Sequence, residues 1–260
     1  MTKPRKPLCS DLGWSTADRI GVQGYDLVHD LLGKINLGDM AFLELTRRLP
    51  SAQESEVFNA MLVTLVEHGM TPSALVARMT YLGAPESLQA AVAAGLSGLG
   101  TVFVGSIEGA AKMLYEALPA GASPGDLQKT AGEIVAAFRA RKQIVPGLGH
   151  PVHKPVDPRA PKLFEIAERN GLSGNYVKLM QAVSKEAERA SGKMLPINAT
   201  GAIGALACEF GFDWRICRGF GVMARAIGLV GHILEEIRQP IAREIWERVE
   251  AEASEHLRPR

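Results

Sequence analysis

Apolar residues recur along this chain with the period of an α-helix and almost never with that of a strand. Phe58, Met61, Leu62, Leu65 and Val66 fall at i, i+3, i+4, i+7 and i+8, which is one apolar helix face. Met40 to Leu49 and Leu163 to Asn170 read the same way. In the second, Leu163, Ile166 and Ala167 point to one side and Glu165, Glu168 and Arg169 to the other, with Gly171 placed to end the helix. Ser123-Pro124 predicts a helix over Gly125 to Arg141, a capping hydroxyl followed by proline in the first turn. No run rich in Val, Ile and Thr alternates cleanly with polar residues, so the chain is expected to be all-α.

Glycine-dense stretches, Gly95 to Gly109, Gly201 to Gly211 and Gly219 to Gly231, mark where such helices must cross closely. Leu88 to Ile107 carries no charge and is long enough to test against a membrane span of about 20 apolar residues. Its glycines, serines and Gln89 instead suit a buried segment of a helical core. Breaks fall at Pro50-Ser51, Gly83 to Pro85, Pro119 to Pro124, Pro146 to Pro161 and Gly192 to Pro196, without a low-complexity linker or a solenoid repeat. At 260 residues the chain fits one large domain or two of ordinary size.

Charge is balanced, 29 Lys and Arg against 28 Asp and Glu, so nothing global favours nucleic acid or an anionic membrane, and any anion must be recruited locally. The three cysteines, Cys9, Cys208 and Cys217, have no metal-ligand spacing, and their odd number argues against a disulfide framework. No metal site is expected, and a reducing cytoplasm fits. Met1 to Pro7 is basic with no apolar signal core after it and reads as a loose tail.

One segment concentrates chemistry. Val145 to Arg159 holds His150, His153, Lys154 and Arg159 among Gly147, Gly149 and four prolines, which set turns and supply donors for an anion. On spacing alone it is either a ligand site or a proline-stiffened connector. His68, at the end of an apolar helix before Gly69, is either a helix-capping imidazole or a catalytic one.

Taken in order, Gly24-Tyr25-Asp26-Leu27, Gly33-Lys34, Glu67-His68-Gly69, Pro146 to His150, Asp157-Pro158-Arg159, Asn198 to Gly201 and Ala224 to Gly228 resemble the citrate synthase superfamily. Within it the chain is most similar to the short citryl-CoA lyase branch, over about Ile20 to Arg243. The resemblance implies a large helical domain, 1–103 and 206–260, interrupted by a small helical domain, 104–205, in a homodimer or higher oligomer. The glycine- and alanine-rich helices, including part of Leu88 to Leu118, are expected to form the subunit contact, because that apolar surface is excessive for a monomer's exterior. It implies cleavage of a citryl-CoA-type thioester to acetyl-CoA and a 2-oxo acid such as oxaloacetate. Coenzyme A would take part as substrate or product, with no tightly bound cofactor. His68 and His150 match histidines that hold the carboxylate and carbonyl oxygen, and Arg159 and Arg225 match the arginines that clamp carboxylates. Asn198 falls with the substrate-binding residues, Lys154 where a basic residue meets coenzyme A phosphate, and Gly147 and Gly149 in the same loop. Arg243 matches an arginine reaching a neighbouring subunit's site.

The departures are specific. Phe103 occupies the turn where full citrate synthases carry an enolising histidine, and the lyase branch lacks that histidine too. Gln23 replaces an arginine often found before the Gly-Tyr pair. Thr200 stands where the family has its acid/base aspartate, and a hydroxyl does not titrate near neutrality. His150, His153 or a water held by Thr200 would then have to take the hydroxyl proton. The alternative is a non-catalytic or altered-substrate relative that still binds an acyl-CoA or a dicarboxylate.

Overall fold

A computed structural model describes residues 8–121, 123–150 and 153–258, so the tail Met1 to Pro7 lies outside the described residues, as do Pro151 and Val152 of the histidine segment. The chain divides into two compact units, Met1–Asn59 and Ala60–Arg260.

The first unit adds a small sheet to an otherwise helical chain. Strands β1 (Gly13–Ser15), β2 (Ile20–Val22) and β3 (Tyr25–Asp26) form an antiparallel sheet in that order. Two- and three-residue strands are too short to show alternation, which is why no strand pattern is visible in the sequence. Asp26 then caps a π-helical turn, Leu27–Leu31, by accepting from the Val28 and His29 amides at 3.0 Å each. Helix α1 (Leu37–Thr46) starts three residues before the periodic run suggests, because Asn36 caps it by accepting from the Asp39 amide at 2.8 Å. It ends at Arg47 in the left-handed region, φ 64°. Phe42 packs edge-on against Phe58, 5.4 Å between ring centroids, and both are fully buried.

The remaining helices are α2 (Ala52–Val66), α3 (Pro72–Gly83), α4 (Leu88–Ser97), α5 (Gly105–Ala117), α6 (Leu127–Ala140), α7 (Arg159–Arg169), α8 (Asn175–Ser191), α9 (Ala199–Glu209), α10 (Arg218–Arg238) and α11 (Ala242–Ser254). The apolar face read at Phe58 to Val66 is confirmed on α2, with Phe58 and Met61 fully buried and Leu65 nearly so. On α7 Leu163 and Ala167 are buried, Glu165 and Glu168 exposed, and Gly171 follows the helix at φ +72°. Helix α6 begins later than Ser123-Pro124 suggested. Its cap is Asp126, whose Oδ1 accepts from the Gln128 and Lys129 amides at 2.9 and 3.2 Å. The uncharged stretch Leu88 to Ile107 breaks between α4 and α5 rather than forming one span.

Helix α9 is the centre of the second unit. Every residue from Gly201 to Cys208 is buried, against α5, α7 and α8. A β-carbon on Gly204 would lie 2.8 Å from the Ala110 β-carbon and 3.0 Å from the Ile107 carbonyl oxygen, so α5 and α9 meet nearly backbone to backbone. Helix α10 crosses α3 and α4 in the same way, with Leu229, Ala74 and Ala77 fully buried between them. Helix α10 with its preceding turn is long and apolar enough to cross a membrane, yet half of that window is buried within the unit, as in a core helix.

Two helix glycines should respond oppositely to alanine. A β-carbon at Gly228 of α10 would collide with the Val66 carbonyl oxygen, which is backbone and cannot turn aside, whereas Gly132 of α6 faces open space. Overpacking of about 1–3 kcal/mol outweighs the gain in helix propensity of about 1 kcal/mol at Gly228, and only the gain applies at Gly132. Urea denaturation should therefore show Gly228→Ala destabilised and Gly132→Ala stabilised; equal shifts at the two sites would contradict the close crossing of α10.

Candidate active site

The site is assembled on the first turn of α9. Asn198 is its cap: Oδ1 accepts from the Gly201 amide at 3.0 Å and from the Thr200 hydroxyl at 2.6 Å, while Nδ2 donates to the Gly149 carbonyl at 2.6 Å. The backbone repeats the stitch, with Gly149 N donating to Pro196 O at 2.8 Å and Asn198 N to Gly147 O at 3.0 Å. Gly147 takes φ +84°, and a β-carbon there would lie 2.5 Å from the Gly201 α-carbon. The loop carrying His150 is thus held backbone to backbone on the helix start, and Gly147 and Gly149 (φ +71°) shape that loop.

Asp157 completes the helix start. It is fully buried, and its carboxylate accepts from the Ala199 amide at 2.9 Å and from Arg159 Nε and Nη2 at 2.9 and 2.8 Å. Burial alone would raise its pKa, but the Arg159 guanidinium and the Ala199 and Arg159 amides outweigh that and hold it at about 2. Asp157 was visible only as part of the Asp-Pro-Arg string; its contact with α9 is made 42 residues away in sequence.

Three imidazoles gather beside this pair. His68 Nε2 and His153 Nε2 are 3.1 Å apart, His150 stacks on His153 at 4.4 Å between centroids, and His68 meets His150 edge-on at 5.5 Å. His150 Nδ1 accepts from the His153 amide at 3.0 Å, which puts the proton of a neutral His150 on Nε2. Burial lowers the pKa of both His68 and His150, and the charges of Arg159 and the other imidazoles lower them further, with Arg225 adding to this at His68. Both effects favour the neutral form of His68 and His150 beside the guanidinium groups.

His68 is held from α10. Glu67 accepts from the His68 and Gly69 amides at 2.8 and 2.6 Å and meets His232 Nε2 at 3.0 Å. Arg78, fully buried in α3, donates through Nε to His232 Nδ1 at 3.3 Å and pairs with Glu236 at 2.9 Å and with Glu235. Arg225, also on α10 and buried, donates to the Leu65 carbonyl at 3.3 Å and to the Thr71 hydroxyl at 3.2 Å. Burial lowers the Arg225 pKa, and Glu67 and Arg159 act on it in opposite directions, so the two arginines lie within electrostatic reach of each other.

The geometry brings His68, His150, Arg159 and Arg225 together, as their order in sequence suggested. Arg159 differs in one respect: Asp157 takes its Nε and Nη2, and Nη2 also lies 3.5 Å from His150 Nε2, so the Nη1 side of the fork is what is left to meet a ligand. Thr200 donates to Asn198 and accepts from the Ser106 hydroxyl at 2.9 Å, so its single proton is already spent. Lys154 is exposed. Arg243 is exposed on α11 with Glu247 at 3.9 Å, and among the described residues no hydrogen bond or ion pair ties it to the cluster. Ligand atoms of His68, His150 and His153 lie within 4.8 Å of one another, a spacing that suits a cation. A cation would have to displace the Nε2 proton that the His150 hydrogen bond enforces and to sit beside two guanidinium groups, so the donor set suits an anionic oxygen better.

The family profile for the citrate synthase C-terminal domain matches residues 36–248. The chain belongs to the citrate synthase family. Its fold superposes on citryl-CoA lyase from Hydrogenobacter thermophilus with a TM-score of 0.81 and 33% identity, covering 90% of this chain and 88% of that one. Probable ATP-citrate synthase subunit 1 of Schizosaccharomyces pombe is 27% identical over 81% of this chain but 36% of its own length, and citrate synthase 2 of Bacillus subtilis is 28% identical over 72% and 48%. The chain thus spans between a third and a half of these curated relatives. ATP citrate lyase from Methanothrix soehngenii, solved with citrate and coenzyme A, shares the fold at a TM-score of 0.72 and 22% identity.

The depressed Asp157 pKa carries a pH signature. Because the folded value, about 2, lies below the usual 3.8, the stabilisation is complete above about pH 4 and is lost as pH falls towards 2. Asp157→Asn should cost about 2 kcal/mol at pH 7, and the gap to the wild type should close in acid. A denaturation difference that stays constant from pH 7 to pH 2 would rule out this role.

Proposed function

We propose that the chain is a citryl-CoA lyase-type enzyme that splits a 3-hydroxyacyl-CoA into acetyl-CoA and a 2-oxo acid, with oxaloacetate as the prototype. The observation that carries this reading is the grouping of three imidazoles with Arg159 and Arg225 around the α9 start. Likeness to a citryl-CoA lyase over nearly the full length of both chains supports it. In this reading the arginines hold substrate carboxylates, and His150 Nε2–H donates to an oxygen that gains charge as the bond breaks. The hydroxyl proton leaves, the C–C bond opens, and its electron pair enters the thioester as an enolate that is reprotonated at carbon. Coenzyme A enters as part of the substrate and leaves as part of the product, with Lys154 and the loop of Gly147 and Gly149 on its side of the site.

Three further expectations belong to the same reading. The small domain 104–205 would close on the large one, 1–103 and 206–260, and the protein would work in the cytoplasm. It would also self-associate. Within Leu88 to Leu118 the exposed large apolar side chains are Leu88, Val102 and Phe103, whereas α10 presents a stripe of Ile227, Val230, Leu234 and Ile237. We expect a dimer or larger species by light scattering at micromolar concentration, with a charge at Val230 weakening it; a monomer mass would remove this expectation.

A second reading rests on Thr200, whose committed hydroxyl cannot replace a carboxylate base. There the pocket still binds an acyl-CoA or dicarboxylate without citryl-CoA cleavage. Incubation with synthetic citryl-CoA, following oxaloacetate with malate dehydrogenase and NADH, separates the two. Cleavage by the wild type, with His150→Ala reduced at least tenfold, about 1.4 kcal/mol, supports the lyase. Binding without turnover, in both the wild type and Thr200→Asp, supports the second reading.

A further inference from the structure

We propose that His68 and His153 act as one proton-sharing pair that takes up the substrate hydroxyl proton, the task for which Thr200 is unsuited. The inference rests on the citryl-CoA reading above and adds His153 to the catalytic residues.

The Thr200 hydroxyl donates to Asn198, and a hydroxyl does not titrate near neutrality. Asp157 is ionised but buried, with its oxygens occupied by Arg159 and the Ala199 amide. His150 offers Nε2–H, because its Nδ1 accepts from the His153 amide, so towards a ligand it is a donor. The remaining pair is different. An Nε2···Nε2 separation of 3.1 Å requires one ring to donate and the other to accept, so together the two rings hold a single proton between them. Two imidazolium rings cannot sit at that distance with both Nε2 protonated, and the pair therefore carries at most one positive charge.

The charges around it fix its resting state. His68 feels burial first, then Arg159, His153 and Arg225, with Asp157 opposing, and the Glu67 carboxylate lies one residue away, turned to the His68 and Gly69 amides. His150 stacks on His153 from the other side. The shared hydrogen bond leaves Nδ1 of the donating ring as the acceptor, and burial with two guanidinium groups in reach lowers the pKa of His68. When one ring takes a proton at Nδ1, the shared proton crosses to the other ring, and charge is spread over both.

The cleavage then balances without an outside acid or base. The 3-hydroxyl proton passes to the pair, the C2–C3 bond breaks, the electron pair forms the thioester enolate, and the proton is returned to the enolate carbon. Citryl-CoA gives acetyl-CoA and oxaloacetate with no net proton, and the pair ends as it began. Substrate affinity is left to Arg159 and Arg225.

The test compares the full-length wild type with His153→Gln, which keeps a hydrogen-bonding group near His68 but cannot ionise. In citryl-CoA cleavage we expect kcat to fall at least a hundredfold with KM within about threefold, the scale of general acid–base catalysis. A wild type that cleaves alongside a variant of equal kcat would overturn the pair as the proton acceptor. A wild type that does not cleave would overturn the citryl-CoA reading itself, and the assigned hydroxyl with it. Imidazole ¹⁵N resonances without substrate report on the pair independently: His68 should titrate at a different pH in His153→Gln, and superimposable His68 curves would refute proton sharing.

Discussion

Asp157 is cut off from solvent and still ionised, because its charge is divided between the Arg159 fork and the first amide of α9. An isolated carboxylate in that position would take up a proton, and the helix start would lose its anionic partner. With it in place, the chain from Asp157 to Arg159 is pinned to a helix whose interior is buried on all sides. Asn198 pins the loop of Gly147 to His150 to the same turn. The imidazoles and Arg159 are therefore positioned by a rigid core element rather than by the proline-rich segment that carries them, which is how a loop rich in turn residues acquires a defined geometry.

The electrostatics follow from the same arrangement. Guanidinium groups remain cationic at any pH at which the protein folds, so His68 and His150 beside them are the groups whose pKa yields, downwards. A neutral imidazole can give one hydrogen bond and accept another, whereas an imidazolium can only give. The Thr200 hydroxyl fits this local balance: it links Ser106 on α5 to Asn198 at the α9 cap, a neutral bridge at the helix start.

Most helices were legible because burial on one face imposes a period of 3.6, and the order of His68, His150, Arg159 and Arg225 was enough to associate them with one family. What stayed hidden depended on contacts distant in sequence. Asp157 looked like part of a motif, and only the position of α9 gives it an organising role. The hydrogen bonds that tie Asn198 and Thr200 to Gly149, Gly201 and Ser106 are equally invisible in the local sequence. The Glu67–His232–Arg78 series joins α2, α3 and α10 across 165 positions, a separation that no local pattern signals. The small sheet was missed because its strands are shorter than one full alternation, and the α6 cap because Asp126 competes successfully with the earlier Ser123-Pro124.

The Glu67–His232–Arg78 series has a mechanical consequence. Helix α10 holds Arg225 directly and holds the His68 turn through His232, so those two groups form one prefabricated half of the site. The α9 start, with Asp157, Asn198, Arg159, His150 and His153, forms the other, and the His68–His153 contact lies on the seam. A ligand with carboxylates on both sides of that seam acts as a keystone, locking two pieces that are each complete without it. Affinity and alignment of the two halves are then the same free energy, expressed once as binding and once as geometry.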